Sequence, residues 1–482
     1  MRLKIIIPVI GLLLIFLGIS LLFPLITSII YKENDTMSFV YTIILSISLG
    51  LFCFFKFKKE KLDINHKDSF TIVSLGWIII TGIGCLPFLF SGVTDNFTNA
   101  YFETMSGFTT TGASIFSEIE KLPHGILLWR SLMQWLGGMG IILLSIAILP
   151  MLGVGGMQLF KAEVPGVTVD KISPRISETA RTLWLVYLLL TLIEIFLLSI
   201  GGMPIFDSIC HSLSTLSTGG FSPKNISIEH YNNMYFDIVI TVFMLLSGIN
   251  FLLHYKLLKG EIKNCIHNSE LQTYIFIFFI ASAFITIDLM IHKTYSSWGD
   301  AIRYSTFQLS SIVTTTGFSN INWEGWPPFS QFILVVVMFI GGMAGSTAGG
   351  MKVVRIMIII KYAYKELYDL IHPHAISSIK IDNKPINREI IQSVLSFFTL
   401  IIFIFIVSSL ILTFQGIDII TSFSAVSATL CNIGPGLNLV GAAHNYNFLP
   451  EVSKWVLIVC MLIGRLELYT VLILFVPQFW EK

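Results

Sequence analysis

Four short strings in this 482-residue chain are made of residues that could strip and hold a cation without carrying any charge themselves. They are TTTGAS (Thr109–Ser114), LSTGGFS (Leu216–Ser222), VTTTGFS (Val313–Ser319) and LCNIGPG (Leu430–Gly436). The candidate ion-binding residues are Thr110, Thr111 and Gly112; Ser217, Thr218 and Gly219; Thr315, Thr316 and Gly317; and Asn432, Ile433 and Gly434. An extended Thr-Thr-Gly segment can aim successive carbonyls at one axis and so replace the hydration shell of an ion. Glycine permits the positive φ that such a carbonyl row needs, and threonine and serine add hydroxyls. A ring of carbonyls without carboxylates suits a large, easily dehydrated monovalent cation, whereas divalent ions favour acidic rings. One such string would be an ordinary turn. Four of them, with Gly112, Gly219, Gly317 and Gly434 separated by 107, 98 and 117 residues, are a repeat of about a hundred residues, and a repeat defines the architecture before any motif does.

Elements of a particular kind must carry these strings. The chain is 54% hydrophobic and only 12% charged, against about 25% charged for soluble domains, so most of it belongs in hydrocarbon. Stretches of the roughly 20 apolar residues that a membrane helix needs lie near 5–30, 38–55, 70–91, 125–150, 182–201, 233–258, 271–291, 327–360, 390–414 and 452–478, which makes ten spans. The first has no small-residue cleavage site and is too long for a signal-peptide core, so it reads as a helix. Of the 30 Lys and Arg, 22 fall in one alternate set of connections and at the two ends, and only Lys32, Lys121, Lys224 and Lys293 in the other. The positive-inside rule therefore places both termini in the cytoplasm and the four strings on the outer side. Each string follows a segment expected to be a short re-entrant helix, near 98–109, 205–217, 299–315 and 417–431. Each of these has an acid in or just before its first turn (Asp95, Asp207, Asp300, Asp418), which reads as an N-cap. Such helices aim their carbonyl ends inward, which favours a cation. Non-helical backbone survives at membrane depth only when it is buried or lines a wet path. The expectation is an all-α polytopic membrane protein with four helix–pore-loop–helix repeats around one pore, at 63–165, 166–262, 263–370 and 371–482. A two-helix hairpin, 1–62, precedes them.

Two further features could block such a path. The span 327–360 contains Gly341, Gly342, Gly345, Gly349 and Gly350, with Ser346, Thr347 and Ala348 between the last three. Small residues can mark close helix packing, but glycines cost a helix about 1 kcal/mol each, and a break facing the pore accounts for five of them better. Arg465 lies near the middle of the last span, where an arginine costs at least about 2.5 kcal/mol unless it faces protein or water. It is either one half of a structural ion pair or a cationic barrier lining the path at the depth of the glycine break.

These strings together resemble the Trk/Ktr/HKT superfamily of potassium transporters, and within it the bacterial TrkH/TrkG pore subunits. The resemblance runs over essentially the whole chain, and its most specific segments are FETMSGFTTTGAS (Phe102–Ser114), WRSLMQWLGGMGI (Trp129–Ile141), HSLSTLSTGGFSP (His211–Pro223), GGMAGSTAGGMK (Gly341–Lys352) and CNIGPGL (Cys431–Leu437). It implies potassium uptake across the cell (inner) membrane through one pore per chain, a dimer of chains, and a cytosolic ring of TrkA-like nucleotide-binding subunits. The segment Gly345–Gly350 and Arg465 would then be the intramembrane gate and the pore arginine. The fourth string departs from Thr-Thr-Gly much as the family's own does. Glycine at 112, where sodium-selective plant relatives carry serine, favours potassium over sodium.

Other classes fit poorly. There is no HExxH, GxSxG or glycine-rich phosphate loop, and the pair His372 and His374 stands alone in a polar connection, so an intramembrane enzyme is a remote alternative. A carrier with inverted repeats fits less well than a channel-like pore, because every repeat begins on the same side. Coupling of potassium to protons or sodium is an open alternative. The longest cytoplasmic segments, near 155–181 and 361–389, are too short to house a nucleotide-binding domain, so the chain itself is expected to take potassium as substrate and no organic cofactor. Lipid is the only other partner expected, and nucleic acid is not one. The six cysteines are scattered through apolar runs and read as small buried hydrophobes.

Overall fold

The computed structural model describes residues 3–57, 65–140, 176–374, 378–382 and 384–481. Among the described residues, six helices are long and apolar enough to cross a membrane, and two further pairs of helices qualify as single spans bent by 101° and 115°. The remaining two expected spans are present in part. Span 125–150 begins as His124–Gly138, and its second half lies outside the described residues, as does most of the connection 155–181. Span 327–360 is split into Pro328–Ile340 and Val353–Ile371.

The amino-terminal hairpin pairs Leu3–Ser20 and Leu22–Tyr31 with Thr36–Phe57. A β-carbon on Gly11 or on Gly50 would strike the other's carbonyl oxygen, so the two backbones touch there, the close approach that small residues permit between apolar helices. After the hairpin, an entry helix, a pore helix and an exit helix recur four times. The entry helices are His66–Gly84, Ile176–Ile200, Ser269–Ile291 and Arg388–Phe414. The pore helices are Phe97–Phe108, Ile205–Leu216, Trp298–Val313 and Ile419–Leu430, within a residue or two of where the sequence places them. The exit helices are His124–Gly138, Met234–Ser247, Pro328–Ile340 and Glu451–Arg465.

Of the four acids expected to cap the pore helices, only Asp418 does so, accepting from the Thr421 N–H at 2.9 Å; hydrogen bonding by Thr421 holds its carboxyl below the usual range. Asn96 and Ser297 cap the first and third helices. Asp95 is exposed, Asp300 accepts the Ser297 hydroxyl at 3.1 Å, and Asp207 accepts the Tyr231 hydroxyl at 2.7 Å and pairs with Lys224 at 3.3 Å. The short polar residues Asn96 and Ser297 lie one step outside the helix, where the free N–H groups point, whereas Asp207 and Asp300 lie inside the first turn and Asp95 one residue before the cap.

All four exit helices stop after 13 to 15 residues, where the sequence predicted one break. The second bends at Gly248–Asn250, and the Asn250 side chain caps the new helix by accepting from the Leu252 N–H at 2.9 Å. The fourth ends at Arg465, and Glu467 and Leu468 take left-handed φ of 51° and 54°. An Asn or a left-handed pair ends a helix without any change in apolar composition, which is why the hydropathy runs straight through both bends.

Buried ion pairs brace the pore helices, within a repeat and between repeats. Glu103 on the first pore helix accepts from Arg130 at 2.8 Å, and both are essentially buried. Arg130 also donates to the Ser222 carbonyl of the second repeat at 3.1 Å and lies over the Phe221 ring. Arg303 on the third pore helix reaches Asp237 on the second exit helix at 2.7 Å. Removing one member of such a pair leaves the other charged and buried, at about 3–5 kcal/mol. Glu103→Gln is therefore expected to lower stability by about that amount, read as a drop in melting temperature in detergent. A variant that melts with the parent would mean that the Glu103–Arg130 pair is not what joins the first two loops.

Candidate ion pathway

Directly after each pore helix the chain enters a three-residue segment of alternating handedness. Thr110, Thr218, Thr315 and Asn432 have φ between 53° and 56°, and two residues later Gly112, Gly220, Gly317 and Gly434 have φ between 77° and 95°. A left-handed β-branched residue is a strained outlier, and three threonines holding it at matching positions mark a site that the surrounding fold has over-determined. The hydrogen bonding repeats as well. The N–H groups of Thr111, Gly219, Thr316 and Ile433 bond the carbonyls of Ser106, Ser214, Ser311 and Ala428, each at 2.8 Å.

These equivalences correct the register of the second string. The residues matching Thr110-Thr111-Gly112 are Thr218-Gly219-Gly220. Ser217 instead caps the pore helix, as Thr109, Thr314 and Cys431 do, and its hydroxyl bonds back to the Leu213 carbonyl at 2.8 Å. The left-handed third position needs a glycine, and Gly220, not Gly219, occupies it. The shared Gly-Phe-Ser of Gly220–Ser222 and Gly317–Ser319 carries the right register in the sequence itself.

The four segments close into a ring. A β-carbon on Gly112 would collide with the Gly219 carbonyl oxygen, one on Gly220 with that of Thr316, one on Gly317 with that of Ile433, and one on Gly434 with that of Thr111. Each repeat thus lays a middle-position carbonyl against the glycine of its neighbour, in cyclic order. Asn432 stitches the last repeat to the first, donating to the Thr111 hydroxyl at 2.9 Å and to the Met461 carbonyl at 3.0 Å. Gln134, which sequence reasoning passed over, donates to the Gly219 carbonyl at 2.6 Å and accepts from the Phe221 N–H at 3.0 Å; Tyr446 donates to the Gly434 carbonyl at 2.6 Å. Gln134 lies within the Trp129–Ile141 segment, whose likeness to the family does not single out this side chain, and Tyr446 lies in loop sequence with no motif. Above the ring, an open depression is lined by the four left-handed glycines together with Ser114, Ser222 and Ser319.

Beneath the ring lies the glycine-rich segment between the two halves of span 327–360. Its tip reaches the second, third and fourth repeats. The Thr347 hydroxyl donates to the Leu216 carbonyl at 2.9 Å, the Gly349 N–H donates to the Thr315 hydroxyl at 2.6 Å, and Gly349 packs against the Cys431 carbonyl. Arg465 completes the set, donating to Thr347 O at 2.8 Å and to Gly137 O and Gly138 O at 2.5 and 2.7 Å. The structure thus brings Arg465 and the residues from Gly345 to Gly350 together at one place under the four segments. Glu467, two residues on, pairs with Arg355.

The register makes a sharp prediction. Gly220→Ala forces a side chain onto a left-handed backbone and into the Thr316 carbonyl, whereas Gly219→Ala keeps a backbone open to any residue and has side-chain atoms of Gln134, not backbone, as its nearest neighbours. Gly220→Ala and Gly112→Ser are expected to abolish or degrade ion preference and Gly219→Ala to retain most of it, measured as flux ratios between monovalent cations in proteoliposomes. Equal effects at 219 and 220 would contradict the register.

Residues 35–482 match the protein family described as TrkH, cation transport protein. The chain is 41% identical over 485 residues to the Trk system potassium uptake protein TrkH of Escherichia coli K12, covering all of both chains. It is 34% identical over 475 residues to TrkG of the same organism, covering 98% of this chain and 97% of that one. The crystal structure of the potassium transporter TrkH from Vibrio parahaemolyticus superposes with a TM-score of 0.90 at 38% identity, each chain being covered in full.

Proposed function

The chain belongs to the TrkH family of cation transport proteins, and we propose that it takes up potassium through a pore whose selectivity filter is the ring of four loops. The observation that carries this reading is the cyclic contact of carbonyl against glycine around four equivalent segments. The filter residues in this reading are Thr110, Thr111 and Gly112; Thr218, Gly219 and Gly220; Thr315, Thr316 and Gly317; and Asn432, Ile433 and Gly434. Uncharged carbonyls and hydroxyls, fixed by Gln134, Asn432 and Tyr446 from outside the ring, replace the water around a monovalent ion without binding it so tightly that it cannot leave.

Below the filter, Gly345, Ser346, Thr347, Ala348, Gly349 and Gly350 form the gate, and Arg465 both holds it shut and repels cations. A unit charge about 4 Å from the ion is worth roughly 4 kcal/mol at an effective dielectric of 20. The four repeats divide at the boundaries given above, 63–165, 166–262, 263–370 and 371–482. The protein works in the cell's inner membrane as a homodimer with both termini in the cytoplasm, and a TrkA-like nucleotide-binding ring on that face moves the gate.

Two measurements test this. Proteoliposome flux should favour potassium and rubidium over sodium; equal flux of all three would remove the filter assignment. Arg465→Ala takes away a positive charge, the bond to Thr347 in the gate and the two bonds that tie the side chain to the first exit helix, so flux without the partner ring should rise while ion preference stays. Reduced flux per folded molecule, with a lower melting temperature, would instead make Arg465 purely structural.

A further inference from the structure

Glu270 stands in the first turn of the third entry helix, Ser269–Ile291, and is buried. One of its carboxylate oxygens, Oε1, accepts two backbone N–H groups, from Ala344 at 2.8 Å and from Val354 at 3.2 Å. Ala344 immediately precedes the glycine-rich segment and Val354 opens the helix that follows it, so a single oxygen joins both feet of that segment. Two backbone bonds close the same base, Met351 N–H to Phe339 O at 3.1 Å and Val353 N–H to Gly342 O at 3.0 Å. The tip, by contrast, is held by separate bonds to groups on the second, third and fourth repeats.

The other end of the anchor leads to the cytoplasmic side of the predicted topology. The N–H of Ser269, the residue before Glu270, is accepted by Asp382 Oδ1 at 2.8 Å. Asp382 lies in the small hairpin formed by Lys380–Ile381 and Lys384–Pro385. The Lys361 ammonium, on the helix that leaves the segment, donates to the Lys380 carbonyl of the same hairpin at 2.7 Å. The hairpin thus grips both the helix that carries Glu270 and the helix that carries the segment's second foot.

We infer that Glu270 is the anchor of the gate, a positioning residue that pins its two feet together so that the tip alone moves when the path opens. Without the two bonds the feet part and the tip loses its seat under the filter. This inference rests on reading Gly345–Gly350 as the gate.

The test uses the full chain in proteoliposomes without a partner ring, with rubidium efflux as the readout. Glu270→Ala and Glu270→Asp, the second too short to reach both N–H groups, should leak several-fold above the parent. Glu270→Gln, whose amide oxygen can still accept both, should stay near it. In a Ser346→Cys background, Glu270→Ala should also speed labelling by a water-soluble thiol reagent, a change that loss of global stability alone does not produce in protein that still melts with the parent. Deletion of Gly345–Gly350 is the control: a leaking deletion beside tight Glu270→Ala and Glu270→Asp variants overturns the anchor and leaves the gate standing. A tight deletion variant overturns the gate and the anchor with it. Glu270→Gln leaking as much as Glu270→Ala shows that charge, rather than the paired acceptor, matters, and overturns the anchor alone.

Discussion

Backbone that leaves the helical path inside a membrane has no water to bond, so each exposed N–H and C=O must find a partner in the protein or line a wet passage. Four times this chain turns back at membrane depth, and the rest of the structure answers that demand. The pore helices absorb the first N–H groups of each filter segment. Gln134 and Tyr446 take up carbonyls from outside. The middle carbonyls of one repeat lie against the glycines of the next, so each segment is enclosed only when its neighbours are present. The ring is cooperative in this sense: one repeat alone would expose the same groups that two neighbours cover.

Much of this was legible in the residues. Four glycine-containing strings at a period of about a hundred, each after a polar-apolar stretch of helical length, gave the number and place of the pore loops, because positive φ at a fixed point demands the same residue every time. The step that failed was local. At Gly219-Gly220 the string offers two glycines, and only the flanking Phe-Ser decides between them. The bends after Ser247 and Arg465 were hidden for a different reason: hydropathy measures composition, and both bends keep apolar composition on either side. The glycine-rich break in the third repeat could be seen because there the helix is broken by residue type. The partners of Arg465 were invisible in principle, since they are backbone carbonyls of residues more than a hundred positions away.

One chain carrying four unequal repeats can do what four identical subunits cannot. The ring is nearly symmetric in φ and in hydrogen bonding, yet the glycine-rich segment below it comes from the third repeat alone, the cationic side chain from the fourth, and the stitch through Asn432 from the fourth to the first. With that segment as the gate proposed above, one off-axis element closes a path that four-fold machinery would have to close four times over.

The way Arg465 is held carries a consequence for how ions wait at this closed passage. All three of its described acceptors are peptide oxygens, two of them at the carboxyl end of the first exit helix, where the aligned dipoles gather negative potential. That is the ligand set a bare monovalent cation would choose. On the reading proposed above, the guanidinium is a tethered surrogate for the transported ion, occupying peptide oxygens that the ion would otherwise find below the filter. Opening, on that reading, is an exchange reaction, one cation for another on the same oxygens.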